Sequence, residues 1–75
     1  MNKDRRTKIA KIISEIESVK EILQNVLSDE QYCFDNMPEN LQSSMRAEES
    51  EEAIDCMENA IEMLESAVEE LENIN

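Results

Sequence analysis

The chain has 75 residues, with 7 basic and 19 acidic side chains and a net charge of −12. It contains no histidine and no glycine, which excludes imidazole catalysis, histidine metal sites and the glycine-rich loops that cradle phosphates. Because proteins bind nucleic acids largely through Lys and Arg, the charge also argues against direct nucleic-acid binding. No apolar run is long enough to span a membrane. Two cysteines without a secretory leader are typical of free thiols in the cytoplasm, so we expect a cytoplasmic protein.

The first predicted helix has apolar residues at alternating spacings of three and four, as in a heptad repeat. The a and d positions hold Ile9, Ile12, Ile16, Val19, Leu23, Val26, Glu30 and Cys33, with Ile13, Leu27 and Phe34 at e and Ile22 at g. No glycine or proline interrupts residues 2–37. The pattern predicts a helix from about residue 4 to about residue 32.

A connection follows at residues 35–46. Pro38 cannot continue a helix and disfavours helical backbone at the residue before it. Asn36 and Glu39 have the spacing of a capping box, which predicts that Asn36 caps the segment that follows. Residues 38–44 could form a separate helical turn or run directly into the last helix, and the sequence leaves both alternatives open.

The second predicted helix covers about residues 47–73. Its a and d positions hold Ile54, Met57, Ile61, Leu64, Val68 and Leu71, with Ala53, Ala60, Ala67 and Ile74 at g and Cys56 and Met63 at c. These positions span about 160° of the helix surface, which is wider than one neighbouring helix covers. We therefore expect an oligomer interface formed by Ile54, Met57, Ala60, Ile61, Met63, Leu64, Ala67, Val68 and Leu71.

The charge distribution predicts how the two helices are arranged. Residues 1–20 have a net charge of +3, whereas residues 21–75 have a net charge of −15, and this asymmetry favours antiparallel helices. Facing residues should then have numbers that sum to about 80. The predicted fold is all-α: a single domain, residues 1–75, formed by an antiparallel two-helix hairpin with a short structured connection. Because domains this small bury little surface, we expect two or more copies to associate into a helical bundle.

Residues 30–46 read EQYCFDNMPENLQSSMR, and the acidic repeat SEEAIDCMENAIEMLESAVEELENI follows. Together they resemble a group of short, acidic, uncharacterised helical proteins that bacterial viruses and mobile elements encode. The resemblance covers roughly residues 29–75, and its specific part is DNMPENLQ at 35–42 with Ser43, Ser44 and Arg46. It implies the cytoplasm of a bacterial host as the setting.

Catalytic chemistry has little support in the sequence. Residues 48–52 match the letters E-E-x-x-E, a carboxylate pattern that magnesium-dependent nucleotide pyrophosphohydrolases use. The following acidic motif overlaps this one instead of lying on another helix, so a solvated acidic face is the better interpretation. Two cysteines without histidine are too few ligands for zinc, and we interpret them as buried or half-buried thiols. We expect no enzyme, no metal and no cofactor.

The connection is the best candidate for a binding site, because it gathers aromatic, amide, hydroxyl and guanidinium groups. The candidate binding residues are Tyr32, Asn36, Asn40, Gln42, Ser43 and Arg46. Arg46 is the only base after Lys20. It could pair with Glu39, Glu49 or Asp35 in the connection, or it could bind an anionic group of a ligand or partner.

The functional expectation is a non-enzymatic binding protein that antagonises a host factor through protein contact. One alternative is an oligomeric sponge that sequesters a small anionic nucleotide near the connection. A second alternative is an acidic mimic of DNA that inhibits a DNA-binding protein. The expected partners are a second copy of the chain and either a host protein or a small nucleotide.

Overall fold

The computed structural model describes residues 1–41 and 45–74 of the chain. Helix α1 spans Lys3–Asp35, a single 3₁₀ turn spans Glu39–Leu41, and helix α2 spans Met45–Glu72. These described residues contain no strand. The two helices lie side by side and antiparallel in a rod with extents of 59 × 15 × 12 Å. The predicted all-α helical hairpin is therefore confirmed, and the connection contains a separate 3₁₀ turn.

Both ends of α1 are capped by asparagine. At the start, the Asn2 side chain accepts a hydrogen bond from the backbone N–H of Arg5 at 2.9 Å. At the end, the Asn36 backbone N–H bonds to the Tyr32 carbonyl, and its side-chain Nδ2 donates to the same carbonyl at 2.8 Å. Asn36 thus closes α1, and the prediction that it caps the following segment is wrong. The helix extends past the predicted end because no residue before Pro38 opposes it.

The seam of α2, meaning the residues that face α1, follows the predicted a and d positions. Ile54, Ile61 and Val68 are buried, and the intervening Met57, Leu64 and Leu71 are half-buried. The same periodicity continues towards the connection with Ser50 and with Ala47, which is 1% exposed. This periodicity of α2 is confirmed. These residues contact α1 of their own chain, so most of the predicted oligomer interface is covered within one chain. Of the apolar positions that flank the seam of α2, Ala53, Met63 and Ala67 are exposed.

The seam of α1 differs from the prediction. The a residues are half-buried as predicted, but the other half-buried column is e, which holds Ile13, Lys20, Leu27 and Phe34. The predicted d residues Ile12, Val19 and Val26 are instead exposed. The d and e columns of α1 lie on either side of the a column. The e column faces α2, and it contributes longer side chains to the seam than the d column would. The aliphatic stem of Lys20 follows the seam while its amine pairs with Glu17 at 3.3 Å.

The register of the hairpin agrees with the predicted sum of about 80. The Ser50 hydroxyl donates a hydrogen bond of 2.7 Å to Glu30 Oε1. At the opposite end of the rod, Ile9 and Leu71 line the same groove. In this register the a positions of α1 lie opposite the d positions of α2. The e positions of α1 lie opposite the a positions of α2.

The two sides of the hairpin differ in chemistry. Because both helices are right-handed and run antiparallel, the d column of α1 and the g column of α2 lie on one side. That side, the apolar face, consists of Ile12, Val19, Ile22 and Val26 on α1 and Ala53, Ala60, Ala67 and Met63 on α2. Groove residues agree with this assignment, since Cys33 and Arg46 share one cleft and Ala10 and Glu72 share another. The opposite side is polar.

The buried column of α2 provides the first prediction. We expect Ile61→Asp to unfold the hairpin, because it places an unpaired carboxylate in the middle of the seam, at a cost of at least about 3 kcal/mol. Circular dichroism during urea unfolding measures the loss. Ser66→Asp adds the same charge at an exposed position of the same helix and should leave helicity intact. Equal stability of the two variants would contradict the observed seam.

Candidate functional site

An open cleft of about 560 Å³ lies at the end of the hairpin where the chain turns. This volume lies in the range of small-ligand sites. We call it the turn cleft. Its residues come from both helices and the connection: Glu30, Cys33, Asn36, Met37, Pro38, Arg46, Glu49 and Ser50.

The floor of the turn cleft is the hydrogen bond between Ser50 and Glu30. Ser50 is 8% exposed and Glu30 is half-buried, because the register places both in the seam where other layers hold aliphatic side chains. A hydrogen bond to a charged group in such a position contributes about 1.5–3 kcal/mol. The pair closes the aliphatic part of the seam and leaves carboxylate oxygen facing the cleft.

Arg46 lies in the first turn of α2 and is exposed. Within the described residues it forms no ion pair, so the predicted contacts with Glu39, Glu49 or Asp35 are absent there. A cation in the first turn is disfavoured by the helix dipole, by a few tenths of a kcal/mol up to about 1 kcal/mol. Arg46 therefore does not stabilise α2 by charge, and its guanidinium is available to another molecule.

The structure brings only some of the predicted binding residues together. Asn36 and Arg46 line the turn cleft. Tyr32 lies outside it, 70% exposed, and Asn40 is exposed in the 3₁₀ turn. The other two predicted residues, Gln42 and Ser43, lie outside the described part of the chain.

Sequence reasoning missed most of the cleft lining. The register sum of about 80 pairs Glu30 with Ser50, so that polar layer was available from the sequence. Glu49 and Cys33 line the cleft only because α1 faces α2 through its a and e columns instead of its a and d columns. That choice depends on helix packing rather than on periodicity.

Both cysteines are exposed free thiols, so the interpretation of buried or half-buried thiols is wrong. Cys33 occupies a d position of α1, and the d column does not face α2. Cys56 occupies a c position of α2, outside the seam. In the observed register the two cysteines are offset by nine residues, or about 13 Å along the helix axis.

Residues 1–41 and 45–74 contain no group of three or more Cys, Asp or Glu arranged to hold a metal ion. Neither of their helices is long and apolar enough to cross a membrane. Comparisons of the chain with protein-family models, curated proteins and solved structures found no match.

The polar layer provides the second prediction. Ser50→Ala removes the donor to Glu30 and should destabilise the hairpin by about 1.5–3 kcal/mol, because a half-buried carboxylate loses its hydrogen bond. The midpoint of urea unfolding reports this change. Ser66→Ala, at an exposed position of the same helix, should be neutral or slightly stabilising. A neutral Ser50→Ala would show that the hydrogen bond does not hold the two helices together.

The offset of the thiols provides the third prediction. A disulfide needs Cα atoms within about 7 Å, so the purified, unreduced monomer should retain both thiols. A maleimide added in denaturant without reductant should therefore label two sites per chain, as read by intact mass spectrometry. A mass lower by two hydrogens with no label incorporated would contradict the register.

Proposed function

We propose that this chain is a non-enzymatic binding protein of a bacterial virus or mobile element, and that it antagonises a host factor through protein contact at the turn end. The observation that carries the proposal is Arg46, which is exposed, lines a cleft and has no ion pair among the described residues. Arginine is among the residues that contribute most to protein interfaces, since its planar group forms bidentate contacts with carboxylates.

The composition of the turn end supports a protein partner. Tyr32 and Met45 are 70% and 75% exposed, and tyrosine, methionine and arginine are enriched at interfaces. The rest of the outer surface of α2 is mostly Glu and Asp, which interfaces disfavour. The proposed host setting rests on the resemblance of residues 29–75 to proteins of bacterial viruses and mobile elements.

A nucleotide sponge is the second candidate, and the volume of the turn cleft favours it. The charge of the cleft opposes it, because Glu30 and Glu49 line the cleft beside the single cation of Arg46. A phosphate bound in one cleft would meet a net negative charge. A second copy of the cleft would add two carboxylates together with its Arg46, so association of two chains would leave the net charge negative.

An acidic mimic of DNA is the third candidate. Eleven carboxylates lie between residues 48 and 72 of α2, and all are exposed. They are spread over about 36 Å of helix, or one charge per about 3.3 Å, which is close to the phosphate spacing of about 3.4 Å along one DNA strand. Solubility alone also explains such a surface, so this candidate ranks below binding at the turn end.

The fourth prediction tests Arg46. We expect Arg46→Ala to weaken capture of the partner from bacterial lysate at least about tenfold, because alanine cannot replace a bidentate charged contact. The melting temperature should stay within about 2 °C, since the residue forms no ion pair in the described structure. Proteins and small molecules in the eluate are both identified, and the binary complex is then measured by calorimetry with purified components.

Arg6→Ala is the matched control, because it removes the same charge from an exposed position at the other end of the rod. It should leave capture unchanged. A nucleotide in the eluate instead of a protein would favour the sponge. Full capture by Arg46→Ala would contradict binding at the turn end and direct attention to the carboxylates of α2.

A further inference from the structure

The apolar face leaves large side chains uncovered on a small protein. Val19 is 55% exposed and Ile22 is 63% exposed on α1, and Met63 is 71% exposed on α2. The accessible surface of the chain is 5939 Å², whereas a compact monomer of 8.7 kDa exposes about 4,700 Å². The difference exceeds the roughly 800 Å² per partner that a stable interface buries. One contact that buries the apolar face would remove this excess of accessible surface.

The apolar face is self-complementary in shape. In the observed register, Ile12, Val19 and Val26 on α1 lie level with Ala67, Ala60 and Ala53 on α2, so each level pairs a large residue with a small one. A two-fold axis parallel to the helices places Val19 of one copy over Ala60 of the other. All three levels then match large side chains to alanines, which permit close approach.

The charges of the helices also favour a two-fold axis parallel to the helices over one perpendicular to them. Helix α2 carries eleven acids and one base, whereas α1 carries seven acids and six bases. With the axis parallel to the helices, each α2 has only α1 helices as neighbours, and the two acidic helices lie on a diagonal. A perpendicular axis would stack α2 on α2, with like charges adjacent.

We propose that two copies of this chain pack through the apolar face into an antiparallel four-helix bundle, with α1 of each copy on α2 of the other. Both turn ends then lie at the same end of the bundle. Each turn cleft, whose Cys33 and Arg46 are on the apolar side, meets the cleft of the second copy. The assembly forms without any other partner, and it brings two Arg46 side chains to one end.

Sedimentation equilibrium of the full chain tests the assembly. The wild-type protein should have twice the 8.7 kDa chain mass at micromolar concentration. Val19→Glu should raise the dimer dissociation constant at least about 100-fold, because it buries a carboxylate in an apolar contact. Gln24→Glu, which adds the same charge on the polar side of α1, should leave the dissociation constant unchanged. A wild-type monomer, or equal effects of the two variants, would overturn the proposal.

Disulfide trapping tests the geometry, even if Val19→Glu also unfolds the chain. Cys33→Ser and Cys56→Ser are first introduced to remove the native thiols. Two single-cysteine chains, one with Val19→Cys and one with Ala60→Cys, are then mixed and oxidised with copper phenanthroline. The proposal predicts mixed disulfides in high yield. Homodimers of the Val19→Cys chain without mixed disulfides would place α1 on α1 and overturn it, and so would the absence of any cross-link.

Discussion

The hydrogen bond between Ser50 and Glu30 is the contact on which the arrangement of this protein depends. Most layers of the seam contain Ile, Leu, Val or Met, and a shift of seven residues would exchange one aliphatic layer for another at small cost. Such a shift in one direction would place the Glu30 carboxylate against Met57. A shift in the other direction would move Glu30 past Ser50 towards the connection. A half-buried carboxylate that loses its hydrogen-bond donor costs about 1–3 kcal/mol, so this polar layer favours one register among those that aliphatic burial alone would allow.

The rest of the molecule follows from that register. It sets the branched side chains of α1 level with the alanines of α2, and it thereby creates one apolar side and one polar side. It also brings Cys33 of α1 beside Arg46 of α2 at the turn end. The turn cleft and the apolar face thus both arise from a single choice of alignment. The proposed function rests on the turn cleft, and the proposed dimer rests on the apolar face.

The sequence predicted α2 better than α1 for a physical reason. In α2 the d column on one side of the a positions is mostly apolar and the e column on the other side is entirely Glu, so the seam cannot extend to the e side. In α1 the a positions are flanked by apolar residues on both sides, Val19 and Val26 at d and Ile13 and Leu27 at e. Periodicity cannot choose between them, and tertiary contacts decide. The wrong prediction for the exposure of Cys33, and the missed places of Cys33 and Glu49 in the turn cleft, follow from this one ambiguity.

The connection was also only partly predictable. Asn36 can cap the end of one helix or the start of the next, and its spacing to Glu39 fits the second role. The structure uses the first: the backbone N–H and the side-chain Nδ2 of Asn36 both donate to the Tyr32 carbonyl in the last turn of α1. Arg46 was identified from its isolation in the sequence, and its place in the turn cleft became visible only once the two helices were aligned.

Methyl NOE spectroscopy gives the most direct test of the register. Labelled chains diluted into an excess of unlabelled protein report contacts within one chain only. The account predicts NOEs between Ile16 and Leu64 and between Ile9 and Leu71. NOEs from Ile16 to Leu71 or to Met57, one heptad away in either direction, would contradict the register and with it the turn cleft and the apolar face.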